Sequence, residues 1–366
     1  MRKLLSGCFA AAAFAVAATQ VVAPAAGNAA APDSAALSAF SNTVFAQLSG
    51  PSGIGADLSY TGADPKTNQI EVGVVKPTAA LVERLERKYG ADRIRVVQAP
   101  IYNTTQLKVS KPVVPVGTTQ DGVAPLAVGV CSGNGVHCAP TRGGVVLQQE
   151  VNGGYYLCTA TIVGSARSGQ RATLTAGHCF NRSGNEIAYG TTDFSGLPVS
   201  GWLGSPGERL YGGTSDHLVI PWDENTGWYG HDYPTNCLYT QPENCVRINF
   251  NAASSDYPTN TFVTLRGYTS GGNRTGGVVL PSATANIRDP ETGQITTVTD
   301  LVQTSACALP GDSGGPAWTR DRLIGTISAG NFTQTDPPQC ASAPRTFVAK
   351  ATNAYNNLRF YPRLTP

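Results

Sequence analysis

Charge is scarce in this sequence. Aspartate, glutamate, lysine and arginine make up 14% of its 366 residues, against roughly 25% in an ordinary globular protein. With 41% apolar residues alongside, that scarcity excludes a disordered, self-solvating chain, which needs the opposite composition. The 26 basic and 24 acidic residues leave a formal charge of only +2, so no electrostatic field draws nucleic acid or an anionic membrane to it. Histidine is rarer still, with four in the whole chain. After the run from Leu4 to Val22 no apolar stretch reaches the roughly 18 residues that a membrane span requires. No internal repeat or low-complexity tract occurs. Turn chemistry is plentiful, with 41 glycines and 25 prolines. The length suffices for two or three domains of roughly 100–200 residues each. These features describe a turn-rich, strand-rich protein with ample core.

The first apolar run has a compartment attached to it. Arg2 and Lys3 precede it, and small residues from Gly27 to Ala31 follow, the layout of a secretory signal over residues 1–30. Leu5-Ser6-Gly7-Cys8 looks like a lipoprotein cleavage site but stands before the apolar run, where the peptidase would not meet it. Of nine cysteines, all but Cys8 survive export, an even number in an oxidising compartment. They allow on the order of a hundred pairings. Short loops close at little entropic cost, which favours Cys131 with Cys138 and Cys237 with Cys245. Zinc is the poorer reading, since no two cysteines have two-residue spacing and the histidines do not alternate with them in finger order.

Two textures divide the rest. Between about Ala31 and Thr105 the chain reads as a small separate α/β unit without cysteine. Ile70, Val72 and Val74 alternate as in a half-buried strand, and Leu81, Val82, Leu85 and Tyr89 share one helical face between Pro77 and Gly90. Ile94 and Val96 alternate again. Lys108 to Gly122 is a proline-spaced connector, the exposed kind that proteases cut. Beyond it come short β segments at close intervals: 144–150, 157–163, 172–175, 217–222, 262–266 and 323–328, the mark of a sandwich or barrel. Ala351, Tyr355 and Leu358 line up in a last amphipathic stretch.

Reactive chemistry concentrates in two motifs. His178 lies in Leu174-Thr175-Ala176-Gly177-His178-Cys179, and Ser313 in Pro310-Gly311-Asp312-Ser313-Gly314-Gly315-Pro316. A serine hydroxyl is a poor nucleophile unless a neutral imidazole takes its proton. The surrounding glycines let backbone approach a bound carbonyl closely. The N–H groups of Gly311 and Ser313 can then converge on a developing oxyanion. An imidazole also needs a carboxylate on its other nitrogen. Asp216 opens the apolar run through Ile220 and is the first candidate; Asp193 is the second. His217, beside Asp216, reads as a core or strand-surface residue, because a strand sends neighbours to opposite faces.

These residues resemble the chymotrypsin-fold serine proteases, most closely the secreted bacterial branch of streptogrisins and alpha-lytic protease. Ser328-Ala329-Gly330 and Val263-Thr264-Leu265-Arg266-Gly267 add to the match, which runs from about Cys131 to Phe360. The resemblance implies an all-β fold of two packed six-stranded antiparallel barrels with a short C-terminal helix and the active site between the barrels. His178 would be general base, Asp216 its orienter and Ser313 the nucleophile, and the His, Asp, Ser order along the chain agrees with that family. Cys158 would pair with Cys179, and Cys307 with Cys340. Ser305, Ala306, Ser328, Ala329, Gly330, Arg345 and Thr346 would flank a specificity pocket without an acid, favouring apolar or aromatic side chains.

By the same resemblance residues 31–125 are a pro-region, cut from the protease domain at 126–366 somewhere between about Ser110 and Val130. The expectation is a secreted monomer with no metal or organic cofactor. Its partners would be protein or peptide substrates and its own pro-region. A catalytically silent protease-fold binding protein and an esterase with the same triad are the competing functions. Two features depart from the pattern: the cysteine-stapled stretch 225–256 is long, and Arg266 is a candidate partner for Asp312 with its register in question.

Overall fold

The computed structural model describes residues 34–51, 53–113, 143–180, 186–192, 198–222, 257–320, 322–333, 335 and 337–362. The leader, Asp193, His137, His231, the 225–256 stretch and the pairs proposed for Cys131–Cys138 and Cys237–Cys245 lie outside these residues.

The described chain begins with a helix, α1 (Ser34–Ser49), whose Leu37, Val44, Phe45 and Leu48 turn inward at helical spacing. Strands β1 (Leu58–Asp64) and β2 (Gln69–Val74) form an antiparallel hairpin. Helix α2 (Ala79–Tyr89) starts where the Thr78 hydroxyl accepts the Leu81 N–H at 3.2 Å and stops at Gly90, whose φ of 96° suits glycine. Strand β3 (Ile94–Gln98) then runs parallel to β2, Ile94 beside Ile70. The strand–helix–strand expected from alternation is therefore present, enlarged by α1 and β1. Phe45, Leu58, Ile70, Val72, Leu85 and Ile94 meet in one cluster, each contributing roughly 1.5–3 kcal/mol on burial. Two short strands follow, β4 (Tyr102–Thr104) and β5 (Leu107–Val109).

The next section is built from β6 (Val146–Val151), β7 (Gly154–Thr159), β8 (Ile162–Ser165), β9 (Arg171–Thr175), β10 (Ile187–Thr192), β11 (Pro198–Gly204), β12 (Arg209–Gly212) and β13 (Ser215–Pro221). Strands β11-β10-β6-β7-β5 make one sheet. In a second sheet β12-β13-β9-β8 run side by side. Leu147, Val163, Phe180, Tyr189, Leu218 and Ile220 fill the space the two enclose.

The last section contains β14 (Phe262–Arg266), the long hairpin of β15 (Asn273–Arg288) and β16 (Ile295–Thr304), then β17 (Pro316–Thr319), β18 (Arg322–Gly330), β19 (Phe332–Thr333), β20 (Gln339–Cys340) and β21 (Thr346–Lys350). Val263, Leu265, Val302, Ile324, Ile327 and Val348 form its core. Helix α3 (Ala351–Leu358) closes it, and β22 (Tyr361–Pro362) returns to the edge of β8. Ala354 and Leu358 pack with Ile162, Leu174 and Trp318, so this helix fastens the two β sections together.

One expectation is corrected. The unit from 31 to 105 is not self-contained, because β1 pairs antiparallel with β15, from Tyr60 opposite Ala285 to Ala63 opposite Ser282. A single sheet runs β14-β17-β18-β21-β16-β15-β1-β2-β3. Every residue of β1 is buried, as befits a central strand covered on both faces. Its sequence alternates over only four residues, Leu58-Ser59-Tyr60-Thr61, before Gly62 interrupts the pattern, too short a run to mark a strand.

Candidate active site

The histidine turn leaves β9 at Thr175. At Gly177 a Cβ would lie 2.1 Å from the Leu210 carbonyl oxygen and 2.9 Å from the His217 nitrogen, so only glycine lets the turn pass there. The disulfide Cys158–Cys179 ties the turn to β7, and a loop of this length is worth about 3 kcal/mol in chain entropy. Asp216, on β13, is fully buried below the turn. Its Oδ1 accepts the His178 backbone N–H at 3.0 Å, and its Oδ2 lies 2.8 Å from His178 Nδ1. The Ser328 hydroxyl donates to the same Oδ2 at 2.5 Å. Burial is the largest influence on this carboxyl and pushes its pKa up, but the neighbouring His178 charge and the hydrogen bonds from His178 and Ser328 outweigh it. The net result is a carboxyl below its ordinary value.

On the other side of the imidazole, Nε2 stands 2.6 Å from Ser313 Oγ. Ser313 sits in a turn whose shape depends on glycine: Gly311 has φ 99° and Gly314 φ 83°, and a Cβ on Gly314 would lie 2.0 Å from Thr175 Oγ1. The first β section holds this turn directly. Thr159 N–H donates to the Ser313 carbonyl at 2.6 Å and Thr159 Oγ1 to the Gly311 carbonyl at 2.8 Å. Thr161 Oγ1 donates to the Gly314 carbonyl at 2.5 Å. The buried Asp312 carboxylate accepts the backbone N–H groups of Leu309 at 2.8 Å and Ser270 at 3.0 Å. It lies against Gly267, one position beyond the residue considered at the sequence level, while Arg266 Nη1 reaches Asn273.

The N–H groups of Gly311 and Ser313 point at one atom, the carbonyl oxygen of Thr105, at 2.5 and 3.3 Å. Thr105 Oγ1 is also 2.7 Å from Ser313 Oγ. Strand β4, just before it, pairs antiparallel with the end of β18, Thr104 opposite Ala329 and Asn103 opposite Gly330. No sequence signal marked Tyr102 to Gln106, because the segment is held largely through backbone atoms that any sequence offers.

The remaining pocket residues fall around this point. Thr346 Oγ1 donates to the Ala306 carbonyl at 2.7 Å and accepts the Ala308 N–H at 3.1 Å. Ser305 Oγ accepts the Gly277 N–H at 2.9 Å. The Cys307–Cys340 disulfide flanks the same wall. Arg345 directs its guanidinium to the Pro344 carbonyl at 3.0 Å. Cys158, His178 and Cys179 are close enough to suggest a metal site, yet both sulfurs are spent in the disulfide and the imidazole lies between Asp216 and Ser313.

His217 is fully buried on β13, its Nδ1 2.9 Å from Ser215 Oγ. Burial lowers its pKa from 6.5 to about 4, against opposing pulls from Asp216 and the Ala349 backbone. The folded state therefore refuses a proton that the unfolded chain accepts. Its share of stability is complete above the unfolded value and falls as the pH drops from there towards about 4. The loss amounts to about 3 kcal/mol. Urea midpoints at neutral pH and near the lower limit measure it. The native chain is expected to lose that much more than His217→Gln, which cannot titrate; equal losses would clear His217 of the effect.

Solved structures similar to this chain include three proteases. Nocardiopsis protease matches at 19% identity over 61% of this chain and 98% of that one, with a TM-score of 0.42. Thermobifida fusca protease A matches at 21% over 60% and 97%, TM-score 0.43. Cellulomonas bogoriensis chymotrypsin matches at 17% over 62% and 99%, TM-score 0.41. The family model described as Trypsin matches residues 132–352, a span that holds both β sections, the histidine turn, β13 and the serine turn. With more than half its length inside that match, the chain belongs to the trypsin family of serine peptidases.

Proposed function

We propose that this protein is an exported serine endopeptidase that cuts peptide bonds through an acyl-enzyme. His178 takes the proton of Ser313 as Oγ attacks the scissile carbonyl, then delivers it to the leaving amine. Asp216 holds the imidazole in the tautomer that leaves Nε2 free to accept. The amides of Gly311 and Ser313 bind the oxyanion, each such donor typically worth about 10²–10³ in rate. Ser328, Ala329 and Gly330 present the backbone edge on which substrate adds as a strand. Ser305, Ala306 and Thr346 flank the pocket for the side chain before the cut bond.

The observation that carries this reading is the unbroken series Ser313 Oγ, His178 Nε2, His178 Nδ1, Asp216 Oδ2, at 2.6 and 2.8 Å, with two amides converging beside its nucleophilic end. Export is supported by the leader and by two disulfides among the described residues. The enzyme acts as a monomer, and its pro-region is its first partner. Mass-spectrometric profiling of a peptide library digested by the purified protein tests the proposal. Internal cleavages absent from a Ser313→Ala control are expected; turnover of esters with every peptide left intact would make it an esterase instead.

A further inference from the structure

The segment Tyr102–Val109 crosses the catalytic serine in an extended conformation and is held on both sides of it. On the N-terminal side β4 pairs with β18 at Ala329 and Gly330. On the C-terminal side β5 pairs antiparallel with β7, Leu107 opposite Leu157 and Val109 opposite Tyr155. Between the two pairings a single carbonyl, that of Thr105, receives both the Gly311 and Ser313 N–H groups. Further out, the buried Tyr102 ring meets Phe347 edge-on at 4.7 Å. Beyond Thr105, the Gln106 side chain donates to the Cys179 carbonyl next to His178. A chain that enters on one sheet and leaves on the other, with one carbonyl in the amide pair, has the layout of a substrate and not of a plug.

We infer that Thr105–Gln106 is a bond this enzyme cuts in its own chain, and that its pocket accepts a short β-branched side chain before the cut. The inference rests on the triad proposed above. In the first step Ser313 Oγ bonds to the Thr105 carbonyl carbon and the carbon–nitrogen bond to Gln106 breaks. The serine proton passes through His178 Nε2 to the departing Gln106 nitrogen. Water then attacks the Thr105 ester, gives its proton to His178, and Ser313 Oγ recovers it. The products are a chain ending in the Thr105 carboxylate and one beginning with the Gln106 amine.

The side-chain class follows from what surrounds Thr105. It is fully buried, and its methyl faces Gly330, where an added Cβ would lie 3.6 Å from Thr105 Cγ2. This is a narrower preference than the apolar or aromatic one expected from the pocket residues. The cut also lies upstream of the 110–130 interval in which the sequence suggested processing. The connector beyond Gln106 then stays with the protease, where β5 already forms part of its sheet.

The test uses the full chain and two synthetic probes. Native and Ser313→Ala proteins are produced in parallel and incubated in heavy-oxygen water, and their peptide termini are mapped by mass spectrometry. The native protein is expected to yield a heavy-labelled carboxylate at Thr105, and Ser313→Ala is expected to keep the bond. A Ser313-dependent enzyme that digests a peptide library while its own Thr105–Gln106 bond stays intact overturns the inference and spares the triad. Cleavage at Thr105 in Ser313→Ala as well overturns self-cutting. A native protein that neither cuts the library nor itself removes the triad reading and this inference together. A decapeptide of residues 101–110 should be cut between its second threonine and glutamine. Valine in that threonine's place should keep the rate within about tenfold. Lysine should lower it by roughly a hundredfold or more, because it brings an unpaired cation into a pocket without an acid. Equal rates for lysine and threonine would disprove the pocket assignment.

Discussion

Ser313→Ala is expected to lower kcat by about 10⁶-fold, leaving a residue of activity about 10³–10⁴ above the uncatalysed reaction. The residue survives because the Gly311 and Ser313 amides and the β18 edge are backbone features that alanine keeps, and it is read after a second protease has clipped away the segment that puts Thr105 and β4 on them in the uncut variant. The variant should fold, since the lost hydroxyl contacts only His178 Nε2 and Thr105 Oγ1 among the hydrogen bonds described. Deleting a bond of this kind costs about 1 kcal/mol. Single-turnover kinetics on an activated ester, with urea unfolding alongside, measure both quantities. Activity within tenfold of native would remove Ser313 as the nucleophile.

Asp216→Asn comes second in size, with an expected loss of about 10⁴ in kcat and the geometry of the site kept. The cause is a tautomer, not a distance. A carboxylate can only accept from His178 Nδ1, which leaves Nε2 as the acceptor for the serine proton. An amide in the same place can donate to Nδ1, which moves the imidazole proton to Nε2 and blocks transfer from Ser313. The His178 backbone N–H, which can only donate, holds the amide oxygen at the Oδ1 position, and the Ser328 hydroxyl, a donor to Oδ2 in the native protein, turns to accept from the amide NH2. Because the folded carboxyl ionises below its ordinary value, its stabilising share is complete above the unfolded carboxylate range. That share disappears only as the pH falls through the lower folded value. The kcat/KM ratio of the two proteins decides the matter, and a near-neutral effect would send the role to Asp193.

What could be read from the sequence was whatever side chains announce. Glycine before His178 and around Ser313 marks backbone pressed against other backbone, and the structure supplies the obstacles, the Leu210 carbonyl at one turn and Thr175 Oγ1 at the other. Asp216 was legible because a lone acid opened an apolar strand, and α2 because its apolar face, its threonine cap and its terminal glycine agreed. Three things stayed hidden for physical reasons. Helix α1 is rich in alanine and serine, so its inward stripe has little contrast with the rest. Strand β1 is buried on both faces, and its alternation lasts only from Leu58 to Thr61 before Gly62. The Tyr102–Val109 segment lies in the cleft by virtue of main-chain pairing with β18 and β7, and main-chain groups are the same in every sequence. Asp312 illustrates the same limit, since most of its hydrogen bonds come from backbone N–H groups, those of Leu309 and Ser270 among them, with the Ser270 hydroxyl beside them.

The β15–β16 hairpin has one further consequence. Along Ser282 to Ala285 the outer edge of β15 is capped by β1, and two side-chain clips reinforce the seam, Thr284 to Asn42 and Asn286 to the Leu58 carbonyl. Were residues 34–105 released by the cut proposed at Thr105, that edge would be bare: a row of main-chain donors and acceptors with nothing to pair with, beside Leu280, Ala283 and Ile287, which are buried in the uncut chain. Sheet edges of this kind recruit whatever strand arrives next. The cut proposed at Thr105 would therefore give the protein an adhesive edge, and its solubility at high concentration would become a property of the missing segment.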